Sequence, residues 1–333
     1  MELVEVLLTF PLDEKHRRTV AAVGERVRLI DAAGEYLPIA RALLSGQEPP
    51  PLPPELEQLF ARAEVMLAWR VLPGIASVAP RLRWVQLLSA GVDHVPQIGD
   101  NRVVVTNASG IHAVPISEYV LGVMLVLAKR LHLAFDSQRQ KRWQRFGFTP
   151  SELEGKTLGI IGLGHIGRAV ARLGRAFGMR VVAMKRTPGA EEDVDELLPA
   201  DRLHDLLAQS DFVVLAVPLT HETRQMIDEA ALRSMKRGAC LVNIARGAVV
   251  DEEALSRALR EEWIAGAALD VFEKEPLPED SSLWGLENVI ITPHMAGGSE
   301  RYMERAVALF ADNLRRYLAG EPLRNVVDLE RGY

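Results

Sequence analysis

Short apolar runs alternate with amphipathic stretches along almost the whole chain. Over residues 1–108 the runs VEVLLTF, VMLAW, RLRWVQLL and VVVTN have the β-branched and aromatic make-up of strands. ELEQLFARA instead spaces its apolar positions as a helix does. The alternation predicts βα units around a parallel sheet. EPPPLPPE (48–55) reads as a surface loop that ends one element and starts a helix at Leu56. It carries no functional weight.

A long helical pattern runs from Pro115 to Lys129 and is expected to begin near Ser117-Glu118. It is apolar on most sides, so it is either deeply buried or covered by another subunit. The following HLAFDSQRQKRWQRFG is polar and basic and reads as a solvated helix face rather than an anion site. A second series starts at GKTLGIIGLGHIG, with strands expected at TLGIIG, RVVAM, FVVLAV, ACLVNIA, IAGAALDV and VIITPH. Their near-continuous apolar character suits burial on both faces. RAVARLGRAFG, LHDLLAQ and DEEALSRALREE supply helices between them. From Arg301, RYMERAVALFADNLRRYLAG reads as one amphipathic helix that could return to the first series. Internal repeats and low-complexity segments are absent.

Composition narrows the class. A chain of 333 residues with 48% apolar and 25% charged residues is an ordinary globular protein, with room for two domains. A net charge of −6 argues against nucleic acid or an anionic membrane as partner. The single Cys240 excludes an internal disulfide, and the eight histidines form no ligand cluster, so no metal is implied. MELVEVLLTF lacks the basic start of a signal peptide, and YVLGVMLVLA (119–128) falls short of the about 20 residues that span a bilayer. A cytoplasmic protein is expected.

Gly162-Leu163-Gly164-His165-Ile166-Gly167 fits G-x-G-x-x-G between a strand and a helix. In that context the first glycine makes a tight turn, the second admits a pyrophosphate, and the third lets helix and strand pack closely. The free amides of the helix start then face the phosphates. The plain alternative is an ordinary βα turn. The next strand continues as VVAMKRTP (181–188), where an acid would ordinarily hold the adenosine ribose. Lys185 and Arg186 stand there instead, with Thr187 behind them. Cations at that place suit a ribose 2′-phosphate, which predicts NADP over NAD unless both side chains face solvent.

Three later segments place polar residues just after apolar strands: Arg246 in NIARGAVVDEEAL, Glu275 in LDVFEKEP and His294 in ITPHMAGG. Strand carboxyl ends line the ligand crevice of an open parallel sheet, so these side chains are expected at one edge. Hydride transfer to a carbonyl needs a proton donor, and histidine with its ordinary pKa of about 6.5 suits that task. A carboxylate beside it fixes the tautomer and favours the imidazolium. An arginine can hold a carboxylate and polarise the carbonyl oxygen.

These linked motifs, spread over residues 87–299, resemble the D-isomer-specific 2-hydroxyacid dehydrogenase family, which includes glyoxylate/hydroxypyruvate reductases, D-lactate dehydrogenases and phosphoglycerate dehydrogenases. The resemblance implies that Arg246 binds substrate, Glu275 partners the histidine and His294 is the acid/base. It further implies that Asp270 meets the nicotinamide carboxamide and that Val217, Pro218, Thr223 and Ala245 lie along the cofactor. LLSAGVDHV (87–95) is similar to the family's substrate loop, whose amides near Ser89, Ala90 and Gly91 hold the substrate carboxylate. Asn107 and GIHAVPISEYV resemble the crossover and the helix of the dimer contact, with Ser117 where the family often has alanine. Trp143 is either a pocket wall for a neighbouring subunit or a packed aromatic, the second being the reading adopted. His94 and His112 read as loop or hinge residues, and Glu273 competes with Glu275. A glutamate at 275 also tells against formate dehydrogenases, which use glutamine there.

The resemblance implies an α/β protein of two doubly wound, Rossmann-like parallel-sheet domains with an interdomain cleft. Residues 1–108 with 300–333 would form a discontinuous substrate domain and 109–299 the dinucleotide-binding domain. The expected activity is NADPH-dependent reduction of a small 2-keto acid, such as glyoxylate or hydroxypyruvate, to the D-2-hydroxy acid. NAD is a possible second cofactor, and a homodimer through the helix around 117–130 is expected. Two rival readings stand beside it: an NAD-linked phosphoglycerate dehydrogenase without a regulatory C-terminal domain, and a non-catalytic dinucleotide sensor.

Overall fold

Every strand expected from an apolar run is present in the computed structural model, which describes residues 3–92, 94–96, 98, 102–147, 149–186 and 189–329. The chain divides into two compact units, one of Met1–Ile111 with Ser299–Tyr333 and one of His112–Gly298.

The first unit runs β1 (Val4–Leu8), α1 (Glu14–Ala21), β2 (Val27–Asp31), α2 (Ala33–Leu44), α3 (Pro54–Arg62), β3 (Val65–Ala68), α4 (Ile75–Val78), β4 (Trp84–Leu87) and β5 (Val104–Thr106). Its five strands pair in the order β2-β1-β3-β4-β5, all parallel. The helix at Leu56 starts slightly earlier, at Pro54, because proline suits the first helical position, where its missing N–H costs nothing. The C-terminal helix (Tyr302–Ala319) completes this unit's core. Phe310 and Tyr317 lie against the fully buried Trp84, with ring centroids 5.2 and 5.6 Å away. A buried polar chain ties the same elements. Trp84 Nε1 donates to Thr106 Oγ1 at 2.8 Å, Thr106 donates to Gln86 Oε1 at 2.8 Å, and Asn313 Nδ2 donates to that same oxygen at 3.1 Å. Asn313 also exchanges hydrogen bonds with the Arg324 backbone, so its buried amide is satisfied at both ends.

The second unit runs α5 (Ala113–Lys129), α6 (Leu131–Arg139), β6 (Thr157–Ile161), α7 (His165–Ala176), β7 (Arg180–Met184), β8 (Glu196–Leu198), α8 (Leu203–Gln209), β9 (Phe212–Leu215), α9 (Glu229–Ser234), β10 (Cys240–Asn243), α10 (Glu252–Arg260), β11 (Gly266–Leu269) and β12 (Val289–Ile291). Seven parallel strands pair in the order β12-β11-β10-β9-β6-β7-β8. The chain winds one way from β6 through β8 and the other way from β9 through β12, which makes a doubly wound sheet with its switch point between β6 and β9.

Two expectations need correction. α5 begins at Ala113 rather than near Ser117-Glu118, because Pro115 falls in the first turn, where no N–H is required. Its buried positions, Val120, Met124 and Leu127 among them, pack in one cluster with Leu158, Val170 and Val242 of this same unit. Trp143, read as a packed aromatic, is 95% exposed, and Phe146 beside it is 79% exposed. The basic run before them forms α6, which buries no residue, as a solvated face should. Among the described residues no helix is long and apolar enough to cross a membrane.

Candidate active site

The glycine turn sits at the switch point. Gly162 follows β6 with φ 98°, a conformation that favours glycine, and a Cβ there would lie 2.5 Å from Ala216 O and 2.8 Å from Val217 Cγ1. The turn and the residues after β9 therefore touch. A Cβ on Gly167 would lie 2.1 Å from Gly162 O, so the third glycine is what lets the helix pack on the strand. Gly164 differs from both: a Cβ there meets nothing within 4 Å. It caps α7, accepting from Arg168 N at 3.0 Å, and leaves the first-turn amides of His165, Ile166 and Gly167 without intrahelical acceptors. An open cradle over helix amides fits a pyrophosphate. Leu163 is buried in the core, so only its backbone is available to a ligand.

After β9, Val217 and Pro218 begin a loop that Thr223 clasps. Its hydroxyl donates to Pro218 O at 2.7 Å and accepts from Thr220 N at 2.8 Å. On the other side of β6, Gly162 N donates to Met184 O at 3.1 Å, which sets the end of β7 beside the glycine turn. Lys185 is half-buried there and does not face open solvent: its Nζ donates to Glu191 Oε1 at 2.7 Å. Arg168, in the first turn of α7, grips the same carboxylate through two nitrogens at 2.8 and 2.9 Å. Glu191 was not singled out in the sequence, since it stands in a polar loop with no periodicity of its own. Arg186 is exposed, and Thr187 lies outside the described residues.

The catalytic candidates occupy the opposite wing of the sheet. Asn243 of β10 pairs with Leu269 of β11, which pairs with Ile291 of β12, so all three strands end at one edge. Arg246, Asp270 and His294 follow those ends within a few residues. Asn243 shapes its turn by accepting from Ala245 N at 3.0 Å and donating to Arg246 O at 3.1 Å. Arg246 Nη1 donates to Ala245 O at 2.8 Å. Ala245 is buried, so what it offers a ligand is backbone. Gly247 then passes directly over the next loop, where a Cβ would lie 1.8 Å from Phe272 C and 2.1 Å from Phe272 O. The arginine turn and the Glu275 loop are packed backbone to backbone.

His294 Nδ1 lies 2.8 Å from Glu275 Oε2, and Glu275 Oε1 accepts from Phe272 N at 3.1 Å. Glu275 is thus the carboxylate that meets the imidazole, while Glu273 spends its amide on Glu252. A carboxylate at Nδ1 favours the tautomer with its proton on that nitrogen. His294 has φ 51°, a left-handed backbone that a non-glycine residue holds only under external constraint. Asp270, buried to 2% exposure, supplies the constraint. Its Oδ1 accepts from Met295 N at 2.9 Å and Thr292 Oγ1 at 2.6 Å, its Oδ2 from Ala296 N at 2.9 Å, and its carbonyl from His294 N at 2.9 Å. Tyr119 of α5 donates to Thr292 Oγ1 at 2.7 Å, and burial raises its phenol to about 12, so it remains a donor. This anchoring of the histidine loop was not legible in the sequence.

In the first unit, the loop after β4 carries Ser89, Ala90 and Gly91. It is held through carbonyls: Ser89 O accepts from Ala108 N, Ala90 O from Asn107 Nδ2, and Gly91 O from Ser89 Oγ. His94 Nε2 lies 3.3 Å from Ser89 Oγ, in keeping with a loop role. Tyr302 Oη donates to the Leu88 carbonyl and its ring stacks on Trp69 at 5.4 Å.

A phosphate cradle at a switch point, with a His–Glu pair at a neighbouring strand edge, defines a nicotinamide-dinucleotide oxidoreductase. Comparison with known proteins makes this particular. Residues 121–296 match the family model for the D-isomer specific 2-hydroxyacid dehydrogenase NAD-binding domain. A glyoxylate reductase of Aeropyrum pernix is 38% identical over 295 residues, covering 84% of this chain and 88% of that one. Among solved structures, a D-isomer specific 2-hydroxyacid dehydrogenase of Xanthobacter autotrophicus in complex with NADPH and MES superposes with TM-score 0.82 at 32% identity, covering 100% of both chains. An NADPH-dependent glyoxylate/hydroxypyruvate reductase of Sinorhizobium meliloti in complex with NADP and sulfate has TM-score 0.79 at 27% identity, again covering 100% of both. The chain belongs to the D-isomer specific 2-hydroxyacid dehydrogenase family.

Proposed function

We propose that this enzyme reduces a small 2-keto acid, glyoxylate or hydroxypyruvate, to the D-2-hydroxy acid, with NADPH preferred over NADH. The observation that carries the chemistry is the 2.8 Å approach of Glu275 to His294 Nδ1, which leaves Nε2 as the proton-donating nitrogen. The dinucleotide supplies the hydride. His294 gives the proton to the carbonyl oxygen, and Glu275 holds the ring and favours the imidazolium from which that proton comes. Arg246 binds the acid and draws charge onto the carbonyl oxygen. The loop at Ser89, Ala90 and Gly91 offers amides to the carboxylate.

Gly162 to Gly167 would cradle the pyrophosphate. Val217, Pro218, the clasped loop at Thr223, the Ala245 backbone and Asp270 would follow the dinucleotide toward its nicotinamide. Preference for the 2′-phosphate rests on Lys185 and Arg186 and is in keeping with the NADPH and NADP complexes of the structural relatives. The test is initial-rate oxidation of NADPH and NADH with both keto acids. A strong NADPH preference that disappears in Lys185→Ala/Arg186→Ala is the expected result. Equal rates with NADH would remove the phosphate reading, and negligible turnover with tight cofactor binding would indicate a sensor.

The working form in this reading is a homodimer through the helix around 117–130, with the segment after it adding to the contact. Leu131, Phe135, Trp143 and Phe146 expose apolar area on that segment, and a second copy would cover it. Sedimentation should give a dimer that Trp143→Glu/Phe146→Glu dissociates. A monomeric wild type would overturn the assignment.

A further inference from the structure

The absent ribose acid has a counterpart elsewhere in the chain. Glu191 lies beyond the end of β7, yet its carboxylate returns to Lys185, at the strand end that borders the glycine turn. Arg168, one residue past Gly167, holds it from the other side. Glu191 is only 10% exposed, although Arg168 and Lys185 keep 49% and 25% of their side chains open to solvent. The two cations, Arg168 first and Lys185 next, hold its carboxyl far below the usual carboxylate range, at about 2. It is therefore an anion at any pH at which the enzyme would be assayed.

We propose that Glu191 tempers cofactor choice: its carboxylate occupies Lys185 in place of a ribose 2′-phosphate, and a phosphorylated ribose binds by displacing it. This rests on the reading of Lys185 as the phosphate-facing cation. Arg168 makes the exchange workable, because its bidentate grip keeps Glu191 partnered after Lys185 has turned to the phosphate. The exchange also leaves a carboxylate close to a phosphate, and that repulsion lowers affinity for the phosphorylated ribose. Glu191 thus moderates a preference that Lys185 and Arg186 would otherwise make steeper. A ribose with a free 2′-hydroxyl leaves the ion pair intact and can donate to the same carboxylate.

Binding of 2′,5′-ADP and 5′-AMP measured by calorimetry tests this without turnover. Glu191→Gln keeps the shape and removes the charge, so it should tighten 2′,5′-ADP by about tenfold or more while leaving 5′-AMP unchanged or slightly weaker. Glu191→Ala should move the ratio in the same direction. Lys185→Gln should abolish the advantage of 2′,5′-ADP. If Lys185→Gln loses that advantage but neither Glu191 variant raises it, the role of Glu191 is overturned and the phosphate reading stands. If wild type and Lys185→Gln bind the two nucleotides with the same ratio, the phosphate reading and the role of Glu191 fall together.

Discussion

His294→Ala should lower kcat by about a hundred- to ten-thousand-fold, the usual contribution of a positioned acid/base, while the Kd for the dinucleotide stays within error of wild type. That corresponds to about 3–5 kcal/mol of transition-state stabilisation. The separation of the two effects follows from how the loop is held. Asp270 takes the backbone amides of Met295 and Ala296, and its own carbonyl takes the amide of His294, so none of these bonds uses the imidazole. Removing the ring leaves the loop anchored and the glycine turn untouched. Steady-state rates with titration of the bound cofactor check this. Turnover at wild-type level in the variant would sink the acid/base assignment.

Gly247→Ala should be nearly as damaging through a different route. Its new methyl would fall 1.8 Å from Phe272 C and 2.2 Å from Glu273 N, and these are backbone atoms that cannot rotate away. Adding a methyl to a packed site ordinarily costs about 1–3 kcal/mol, and a backbone obstacle puts this case at the upper end or beyond. The loop that must retreat carries Glu275, whose Oε1 is fixed by Phe272 N. The variant should therefore melt earlier and also lose activity beyond what its folded fraction explains. Thermal unfolding with kcat/KM measured well below the midpoint separates the two. Unchanged stability and rate would mean that the arginine turn does not depend on this contact.

The parts of the candidate site that were legible in the sequence share one property: each is announced by a local pattern. Apolar runs marked the strands, strand ends marked Arg246, Glu275 and His294, and a glycine triplet between strand and helix marked the cradle. The parts that were not legible depend on contacts across the chain. Glu191 reaches Lys185 and Arg168 from a loop without periodicity. Asp270 is expected from the resemblance at the nicotinamide carboxamide, and only the fold shows its carboxylate also accepting from the residues around His294. The left-handed backbone of His294 is imposed by contacts across the chain and has no local pattern to announce it. β2 and β8 escaped notice for a related reason: VRLID and ELL carry too few buried positions to stand out from their flanks. Trp143 shows the reverse failure, in which a large aromatic invites burial and the fold leaves it outside.

The hydrogen bond from Asn313 to Gln86 spans 227 residues, and that from Tyr317 to Glu64 spans 253. A chain made from its N-terminus therefore presents β1 to β5 long before the helix that covers Trp84 exists. The seven-stranded sheet, whose strands all fall within one uninterrupted stretch, can close first, because its loops are shorter and less entropy is lost in joining them. The first unit must wait with an apolar sheet face uncovered until Phe310 and Leu314 emerge. During synthesis the unit that begins first is therefore the last to be completed, and its uncovered face is open to misassociation in that interval.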